Sequence, residues 1–282
     1  MGGAAASAVR IEIPAALRGS LEEILFEGLG ELEFSSTAAP DGRLLLWVDS
    51  EDLPAALAAL GALGASGLST FKEESTDWVR ASAALRTSVL VDRYLFDPHD
   101  GDLATPAPPG VRRLHLPAVR AFGTGSHEST RLAVRLLLAE NLRGARVLDV
   151  GCGIGTLAFV AALEGAARVV AFDLDREAAF ATREQARANG ISCVYAFAGP
   201  LEALARGARF GVIAANMIHE ETAPLLPALR AHLAPGGRLL CSGQLAEREG
   251  EFGNLLRKTG FRLVRSLREN EWLGTAWISS NE

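Results

Sequence analysis

The chain has 282 residues, of which 49% are hydrophobic and 22% are charged, and its formal net charge is −6. This length suits about two domains of ordinary size, and the composition is that of a soluble protein with ample apolar material for a core. No run of about 18 apolar residues is unbroken, so we expect no membrane-spanning helix. The start, MGGAAASAVRIEI, has no basic segment and no long apolar stretch, which favours a frayed tail over a signal peptide.

The cysteines and the distribution of charge bear on compartment and partner. The three cysteines are isolated and form no C-x-x-C pair, which is typical of a reducing cytosol, so we expect a cytoplasmic protein. Residues 1–77 hold 4 Lys and Arg against 13 Asp and Glu, whereas residues 78–282 hold 24 against 21. An acidic first module would attract a basic partner and repel nucleic acid. From charge alone, a solvated acidic surface with no partner is the preferred interpretation.

The first 74 residues show the order of a small α+β module. Alternating residues at 9–13 predict a strand, and a serine, glutamates and helically spaced apolar residues predict a helix over 20–29. Two strands (ELEFSS and RLLLWV), a helix (PAALAALGAL) and a strand over 67–73 follow. The order β-α-β-β-α-β predicts a ferredoxin-like domain over residues 1–74.

Residues 75–120 are predicted to connect two domains. Ser75–Arg86 has the pattern of a connecting helix, and the proline, glycine and aspartate content of FDPHDGDLATPAPPG predicts an irregular link. RRLHLP, over 112–117, predicts a short strand that leads into the second domain.

The remaining residues, 121–282, are predicted to form an α/β domain. Strands and helices alternate from residue 129 onward, which predicts a doubly wound, mostly parallel sheet. In this series PLEALARG predicts a short helix, TAPLLPALRAHLAPGG a longer one and RLLCSGQL a strand. Only a turn at Asn270–Gly274 separates the last two strands, so they must form an antiparallel hairpin. A parallel sheet that ends in such a hairpin is the class I methyltransferase variant of the Rossmann-like fold.

A glycine-rich turn followed by a carboxylate is the most informative motif. VLDVGCGIGTL reads as a strand, a turn and the start of a helix, in which Gly151, Gly153 and Gly155 permit close approach of a ligand. The next strand, RVVAFDLD, carries Asp173 near its tip, 22 residues after the first glycine and placed to accept hydrogen bonds from two ribose hydroxyls. The spacing G-x-G-x-G differs from the G-x-G-x-x-G of NAD sites, so the pattern favours S-adenosylmethionine.

Polar residues elsewhere in this domain extend the candidate site. Asn216 ends the fourth strand at the edge where ligands of open α/β sheets bind, and its amide oxygen can position an amine, although asparagine is also a common turn residue. The loop AFGTGSHEST, over 121–130, predicts a lid from which Thr130 would reach the amino-acid end of the cofactor. His127 and His219 have no partners at metal-ligand spacing, so we expect no metal site.

These motifs together resemble the methyltransferases of ribosomal protein L11. The resemblance rests on AFGTGSHEST, VLDVGCGIGTLA, AFDLD, AAN, LAPGGRLLCSG and ENEWLGTAWIS, and covers about residues 121–282, with Asp77-Trp78 also fitting. It implies a ferredoxin-like domain that grips the substrate protein, a helical connector and a class I catalytic domain. The cofactor contacts that it implies are Thr130, Gly151, Asp173 and Asn216. The residues that it implies at the methyl-transfer end are Phe122, Thr124 and Gly125.

The chain departs from the family pattern at two places. Leu116–Arg120 stands where the family usually has Asp-Pro-Gly before the lid loop, and RASAALRTSV after Trp78 lacks the usual Lys and aromatic pattern. Both places lie on the substrate side. They therefore bear on the identity of the methyl acceptor more than on the reaction.

The combined expectation is an enzyme that transfers methyl groups from S-adenosylmethionine to amino groups of a basic protein, with ribosomal protein L11 as the expected acceptor. Asn216 would hold the amine and Thr124 would close the pocket, and alignment rather than a dedicated base would supply the catalysis. An amine of pKa near 10.4 must first lose a proton, to water or in a desolvated pocket. Three alternatives remain: a methyltransferase for another lysine or a small amine, a nucleotide-dependent oxidoreductase, and a non-catalytic cofactor-binding module.

Overall fold

The structure is a computed structural model that describes residues 8–14, 34–38, 43–49, 52–62, 65–73, 88–98, 107–117 and 125–280. The chain divides into two compact units, residues 1–87 and 88–282. The helices predicted over 20–29 and 75–86 lie outside the described residues, as does Asp77-Trp78. Within the described ranges, no helix has both the length and the apolar character needed to cross a bilayer.

The first unit contains a four-stranded antiparallel sheet and a helix. Its elements are β1 (Ala8–Ile13), β2 (Phe34–Ala38), β3 (Leu44–Asp49), α1 (Leu53–Ala62) and β4 (Ser69–Glu73). The strand order is β2-β3-β1-β4, so β3 lies between β1 and β2, as expected of a ferredoxin-like module. Alternate residues of β1 and β3 face the core because side chains along a strand point to opposite faces; the core includes Ile11, Ile13, Leu44, Leu46, Ala56 and Leu60.

A three-stranded sheet begins the second unit, within the segment 75–120 that was predicted to connect two domains. Its strands are β5 (Val89–Val91), β6 (Tyr94–Asp97) and β7 (Arg112–His115), and the last of them is the strand predicted at RRLHLP. β6 pairs antiparallel with β5 and parallel with β7. The sequence did not indicate β5 and β6 because each is too short to show alternation. Burial of Tyr94 and Phe96 fixes this small sheet in the core of the unit.

The main sheet of the second unit has seven strands in the order β10-β9-β8-β11-β12-β14-β13. β14 pairs antiparallel with both of its neighbours, whereas β8 to β12 pair in parallel. The predicted doubly wound sheet with a terminal hairpin is therefore confirmed. Its elements are α2 (Glu128–Leu138), β8 (Arg146–Val150), α3 (Thr156–Leu163), β9 (Arg168–Asp173), α4 (Arg176–Ala188), β10 (Val194–Ala198), β11 (Phe210–Asn216), α5 (His219–Thr222), α6 (Leu226–His232), β12 (Leu233–Leu245), α7 (Glu249–Lys258), β13 (Phe261–Glu269) and β14 (Trp272–Ser279).

Three boundaries differ from the prediction. The helix predicted to run through Gly237 ends at His232, because Leu233 pairs with Phe210 of β11 and the proline that follows cannot continue a helix. PLEALARG forms only a single 3₁₀ turn, Leu201–Ala203. The hairpin turn is shorter than predicted, since β14 already begins at Trp272.

Two apolar cores cover the two faces of this sheet. Val147, Ala214 and Leu240 face α2 and α3, whereas Leu148 and Ile213 face α6 and α7. Because helices cover both faces, the sheet is open to a ligand at the edge formed by the ends of its strands. The carboxyl ends of β8, β9 and β11 lie together at that edge, where ligands of such sheets bind.

Candidate functional site

The glycine turn after β8 is shaped for close approach to its backbone. Gly151, Gly153 and Gly155 have φ of +63°, +51° and +87°, a region that residues with a side chain rarely adopt. A Cβ atom on Gly155 would lie 2.6 Å from the ring of Phe159 and 2.8 Å from the methyl carbon of Thr182. Gly155 also caps the N-terminus of α3, so the turn presents backbone N–H groups at the sheet edge.

Asp173 stands at the end of β9 and is tied to the glycine turn. One carboxylate oxygen accepts a hydrogen bond from the Gly153 N–H at 2.9 Å, and the other accepts from the Asp175 N–H at 3.0 Å. Each carboxylate oxygen has a second lone pair for another donor. The side chain is held in place, partly exposed and able to accept two further hydrogen bonds, which fits a pair of ribose hydroxyls.

Asp149 lies beneath this turn, and the sequence did not single it out. The residue is buried in β8, and a carboxylate oxygen accepts from the Ala158 N–H in the first turn of α3 at 3.0 Å. Burial, together with the nearby charge of Asp173, raises the pKa of Asp149 to about 7, against the lowering effect of the Ala158 hydrogen bond. The carboxyl group therefore fixes the start of α3 and titrates close to neutral pH.

Asn216 ends β11 beside the first turn of α2. Its Nδ2 donates to the buried Thr130 Oγ1 at 3.3 Å. Its Oδ1 is buried and has no hydrogen-bond partner within the described part of the chain. A buried polar atom without a partner is rare and calls for an explanation, such as a ligand that donates to it. The structure thus brings together Thr130 and Asn216, which the sequence singled out 86 residues apart.

The lid loop is described only at its end. Gly125 has φ of +83°, and a Cβ atom there would lie 2.3 Å from the Phe96 ring, so this position requires glycine. Phe122 and Thr124 lie outside the described residues. Their assignment to the methyl-transfer end stays a prediction.

The model of the ribosomal protein L11 methyltransferase (PrmA) family matches residues 74–277. The chain belongs to this family. The ribosomal protein L11 methyltransferase of Geobacter metallireducens is 38% identical over 177 residues, which cover 63% of this chain and 55% of that protein. The corresponding protein of Pelotomaculum thermopropionicum is 34% identical over 235 residues, which cover 80% and 73%. The chain thus spans little more than half the length of the first of these relatives.

A solved structure agrees with this family membership. The ribosomal protein L11 methylase of Lactobacillus delbrueckii subsp. bulgaricus superposes with a TM-score of 0.62 at 28% identity. The superposition covers 67% of this chain and 96% of that one. The class I methyltransferase fold of this family member is therefore supported by its sequence and by its structure.

Two further hydrogen bonds of this L11 methyltransferase family member hold the segments that surround Asn216. The buried Ser242 Oγ donates to the Ser129 carbonyl at 2.8 Å, which ties β12 to the first turn of α2. Gln244 Nε2 donates to the Met217 carbonyl at 2.6 Å. Sequence reasoning missed these contacts because each joins residues that are far apart along the chain.

Two large apolar side chains are exposed next to the polar site residues. Leu174 directly follows Asp173 and is 76% exposed, and Ile218 lies two residues after Asn216 and is 49% exposed. Each of them lies just past the end of a strand, and this position in the sequence could have indicated a ligand contact. Exposed apolar side chains at a ligand edge suit contact with the flat or aliphatic parts of a ligand.

The thiols and imidazoles near the site have structural roles. Burial raises the pKa of the Cys152 thiol well above its usual range, so this thiol is protonated and poorly nucleophilic. His127 caps α2, with Nδ1 accepting from the Ser129 N–H at 3.2 Å. Among the described residues, no cluster of three His, Cys, Asp or Glu side chains is arranged to hold a metal ion.

Proposed function

We propose that this chain transfers methyl groups from S-adenosylmethionine to amino groups of a basic protein, with ribosomal protein L11 as the acceptor. The observation that carries the proposal is the buried, unpartnered Asn216 Oδ1 at the sheet edge, beside Thr130. Membership of a family whose members are named for methylation of L11 supports the same reaction. The modified groups would be lysine side chains or the N-terminal amine.

The described residues fit the cofactor. Backbone of Gly151 and Gly153 would lie against it, Asp173 would accept from its ribose hydroxyls, and Leu174 would cover its base. Thr130 and Gly125, with Phe122 and Thr124 from the resemblance, would surround its amino-acid and methyl end. When bound, S-adenosylmethionine supplies a methyl group on a positively charged sulfur that leaves readily.

Asn216 would position the acceptor amine. Its Oδ1 would accept one N–H of the neutral amine, while the bond from Nδ2 to Thr130 fixes the plane of the amide. The lone pair of the amine is then free to face the methyl group. Held alignment of this kind accounts for large rate accelerations without a proton-transfer group.

The carboxyl groups at the site are not suited to act as the base. Asp149 is buried in contact with α3, and both oxygens of Asp173 already accept backbone hydrogen bonds. The acceptor amine, of pKa near 10.4 in water, would therefore lose its proton to solvent before transfer. Thr124 would close the pocket around the reacting groups.

The acidic character of residues 1–77 suits a basic acceptor. We assign substrate recognition to residues 1–74, connection to residues 75–120, and cofactor binding and catalysis to residues 121–282. A ribosomal protein acceptor would place the enzyme in the cytoplasm. The proposal includes no direct contact with nucleic acid or membrane.

Labelling of acceptors tests the proposal most directly. The purified protein is incubated with radiolabelled S-adenosylmethionine and cell lysate, and labelled proteins are identified by mass spectrometry. We expect label on ribosomal protein L11 at amino groups; label on a different protein or a small amine would redirect the acceptor, and absence of label would contradict enzyme activity. Calorimetry should show binding of S-adenosylmethionine and none of NAD, and the reverse would favour an oxidoreductase.

A further inference from the structure

The turn between β13 and β14 contacts the start of α2 through one carboxylate. Glu269 Oε1 accepts from Arg131 Nε at 2.7 Å and lies 2.6 Å from Arg131 Nη2, and Glu269 Oε2 accepts from Arg135. The side chains of Glu269 and Arg131 are 22% and 19% exposed, so this pair keeps partial contact with solvent. The two residues are 138 positions apart in the sequence.

Arg131 joins the hairpin to the end of the lid loop. Its Nη1 donates to the Ser126 carbonyl, and its Nη2 lies 3.1 Å from the Glu128 carboxylate. The planar guanidinium offers five N–H donors in a fixed fork, so one side chain can hold several partners in a set geometry. Here it fixes the loop, the first turn of α2 and the hairpin against one another.

Two more contacts come from the same hairpin. Asn270 Nδ2 donates to Glu128 Oε1 at 3.2 Å. The Trp272 ring meets the His127 ring edge-on, with centroids 4.6 Å apart and planes at 70°. These contacts flank the ion pair, so the hairpin contacts the segment 126–131 at several positions.

The segment 126–131 carries part of the candidate site. Thr130 directly precedes Arg131 and accepts from Asn216 Nδ2, and the Ser129 carbonyl accepts from Ser242. A shift of the first turn of α2 would move Thr130 and release the amide of Asn216. Small displacements of aligned groups are expensive in catalysis, because reaction requires a narrow range of geometry.

We infer that the β13–β14 turn is a positioning element for methyl transfer, in which Glu269 acts through Arg131 to hold Thr130 against Asn216. The inference rests on the proposed function for its catalytic consequence. Glu269 does not touch the reacting groups and is a positioning residue. Partly exposed ion pairs of this kind contribute little to global stability, so the expected effect is on geometry.

Two substitutions, one at the end of β13 and one at the start of α7, separate positioning from stability. Glu269→Ala removes the contacts with Arg131 and Arg135. Glu249→Ala removes a more exposed set of contacts to the neighbouring residues of β13, where Glu249 accepts from Arg268 at 3.2 Å and from Ser266 at 3.2 Å. We expect Glu269→Ala to lower kcat about tenfold, with KM for S-adenosylmethionine changed less than about twofold. Glu249→Ala should leave kcat within about twofold of the unsubstituted protein. Both variants should lower the thermal midpoint by a similarly small amount.

A conservative variant serves as rescue. Glu269→Gln keeps an oxygen at the position that contacts Arg131, so most of kcat should return. Equal losses of kcat in Glu269→Ala and Glu249→Ala would overturn the inference, and so would a Glu269→Gln variant as slow as Glu269→Ala.

Hydrogen exchange provides a readout that does not depend on the reaction. Backbone amides of residues 126–131 should exchange about fivefold faster or more in Glu269→Ala than in Glu249→Ala. Unchanged exchange in that segment contradicts the positioning role whatever the activity. An unsubstituted protein that labels no acceptor contradicts the proposed function instead, so the two failures are distinguishable.

Discussion

At the scale of single residues, the proposed chemistry depends on the buried amide of Asn216. Leaving a buried acceptor without a partner costs about 1–3 kcal/mol, a penalty that a donating ligand would remove. Its Nδ2 already contacts Thr130, so only Oδ1 remains to meet a ligand. A neutral amine offers an N–H donor for that oxygen and keeps a lone pair, whereas an ionised carboxylate has no donor to offer.

Replacing Asn216 tests this reading. Asn216→Ala removes the acceptor oxygen, and we expect kcat to fall about 100-fold, a typical cost for one lost positioning contact. The dissociation constant for S-adenosylmethionine, measured by calorimetry, should change less than about threefold because other residues hold the cofactor. Asn141→Ala, which alters an exposed asparagine of the same unit, is the control. A variant at position 216 that methylates at full rate contradicts the assignment.

The glycine turn supports a second prediction at this scale. Gly155→Ala combines positive φ with contacts of 2.6 and 2.8 Å, whereas Gly190→Ala has positive φ of +67° and open space around the new Cβ. Both substitutions should cost about 1–2 kcal/mol from backbone strain. Gly155→Ala should lower the thermal midpoint further and weaken cofactor affinity about tenfold or more. Equal thermal midpoints for the two variants would show that the turn tolerates a side chain.

At the scale of elements, the junction of β8 and α3 depends on Asp149. Its carboxyl group is buried, and the pKa is raised from 3.8 to about 7. A carboxyl group with a raised pKa in the folded state binds a proton more tightly than in the unfolded state. The folded protein is therefore favoured at low pH, and this contribution to stability declines as pH rises from about 4 to about 7.

Asp149→Asn removes that pH dependence while keeping an oxygen for the Ala158 N–H. The thermal midpoint of the variant relative to the unsubstituted protein should rise with pH between 5 and 8, by roughly 3 °C or more. Melting curves at pH 5, 6, 7 and 8 measure the difference. A difference that stays flat, or that shrinks as pH rises, contradicts the raised pKa.

Elements with strong local patterns could be predicted from the sequence, and those fixed by distant contacts could not. The alternating strands and helices after residue 129, the hairpin and the glycine turn follow from periodicity and from residues that demand particular backbone angles. β5 and β6 are too short to show periodicity. The end of α6 was misplaced because Leu233 joins a strand by pairing with Phe210, a contact that local pattern does not show.

The candidate site divides in the same way. Asp173, Asn216 and Thr130 were recognisable because each lies at the end of an element or in a distinctive loop. Asp149 looked like any strand residue, and its role emerges only when α3 packs over it. The hydrogen bond between Arg131 and Glu269 joins residues that are 138 positions apart. Neither residue stands in a sequence pattern that would indicate the contact.

At the scale of the whole molecule, charge is unevenly distributed, with an excess of acidic residues in residues 1–77 and a small excess of basic residues in 78–282. The acidic excess of residues 1–77 should attract a basic acceptor over a distance of about 8 Å at physiological salt. Attraction of this kind affects encounter and binding of the acceptor. It has little influence on a cofactor held by hydrogen bonds and apolar contacts.

Neutralising part of that charge gives the corresponding prediction. Replacing Glu22, Glu23 and Glu27 by glutamine should raise KM for the protein acceptor about threefold or more, and leave KM for S-adenosylmethionine unchanged. Raising the salt concentration should have the same effect on the unsubstituted protein. Replacing the exposed Glu184, Glu202 and Glu247 by glutamine serves as the control. An unchanged KM for the acceptor would show that the acidic excess plays no part in binding.

The strand order of the main sheet has a consequence for how the protein is made. β14 follows every other strand in the sequence, yet it lies inside the sheet between β12 and β13. During synthesis, β13 therefore has no neighbour to pair with until β14 has left the ribosome. The contacts between the hairpin turn and the start of α2 can therefore form only at that late stage of synthesis.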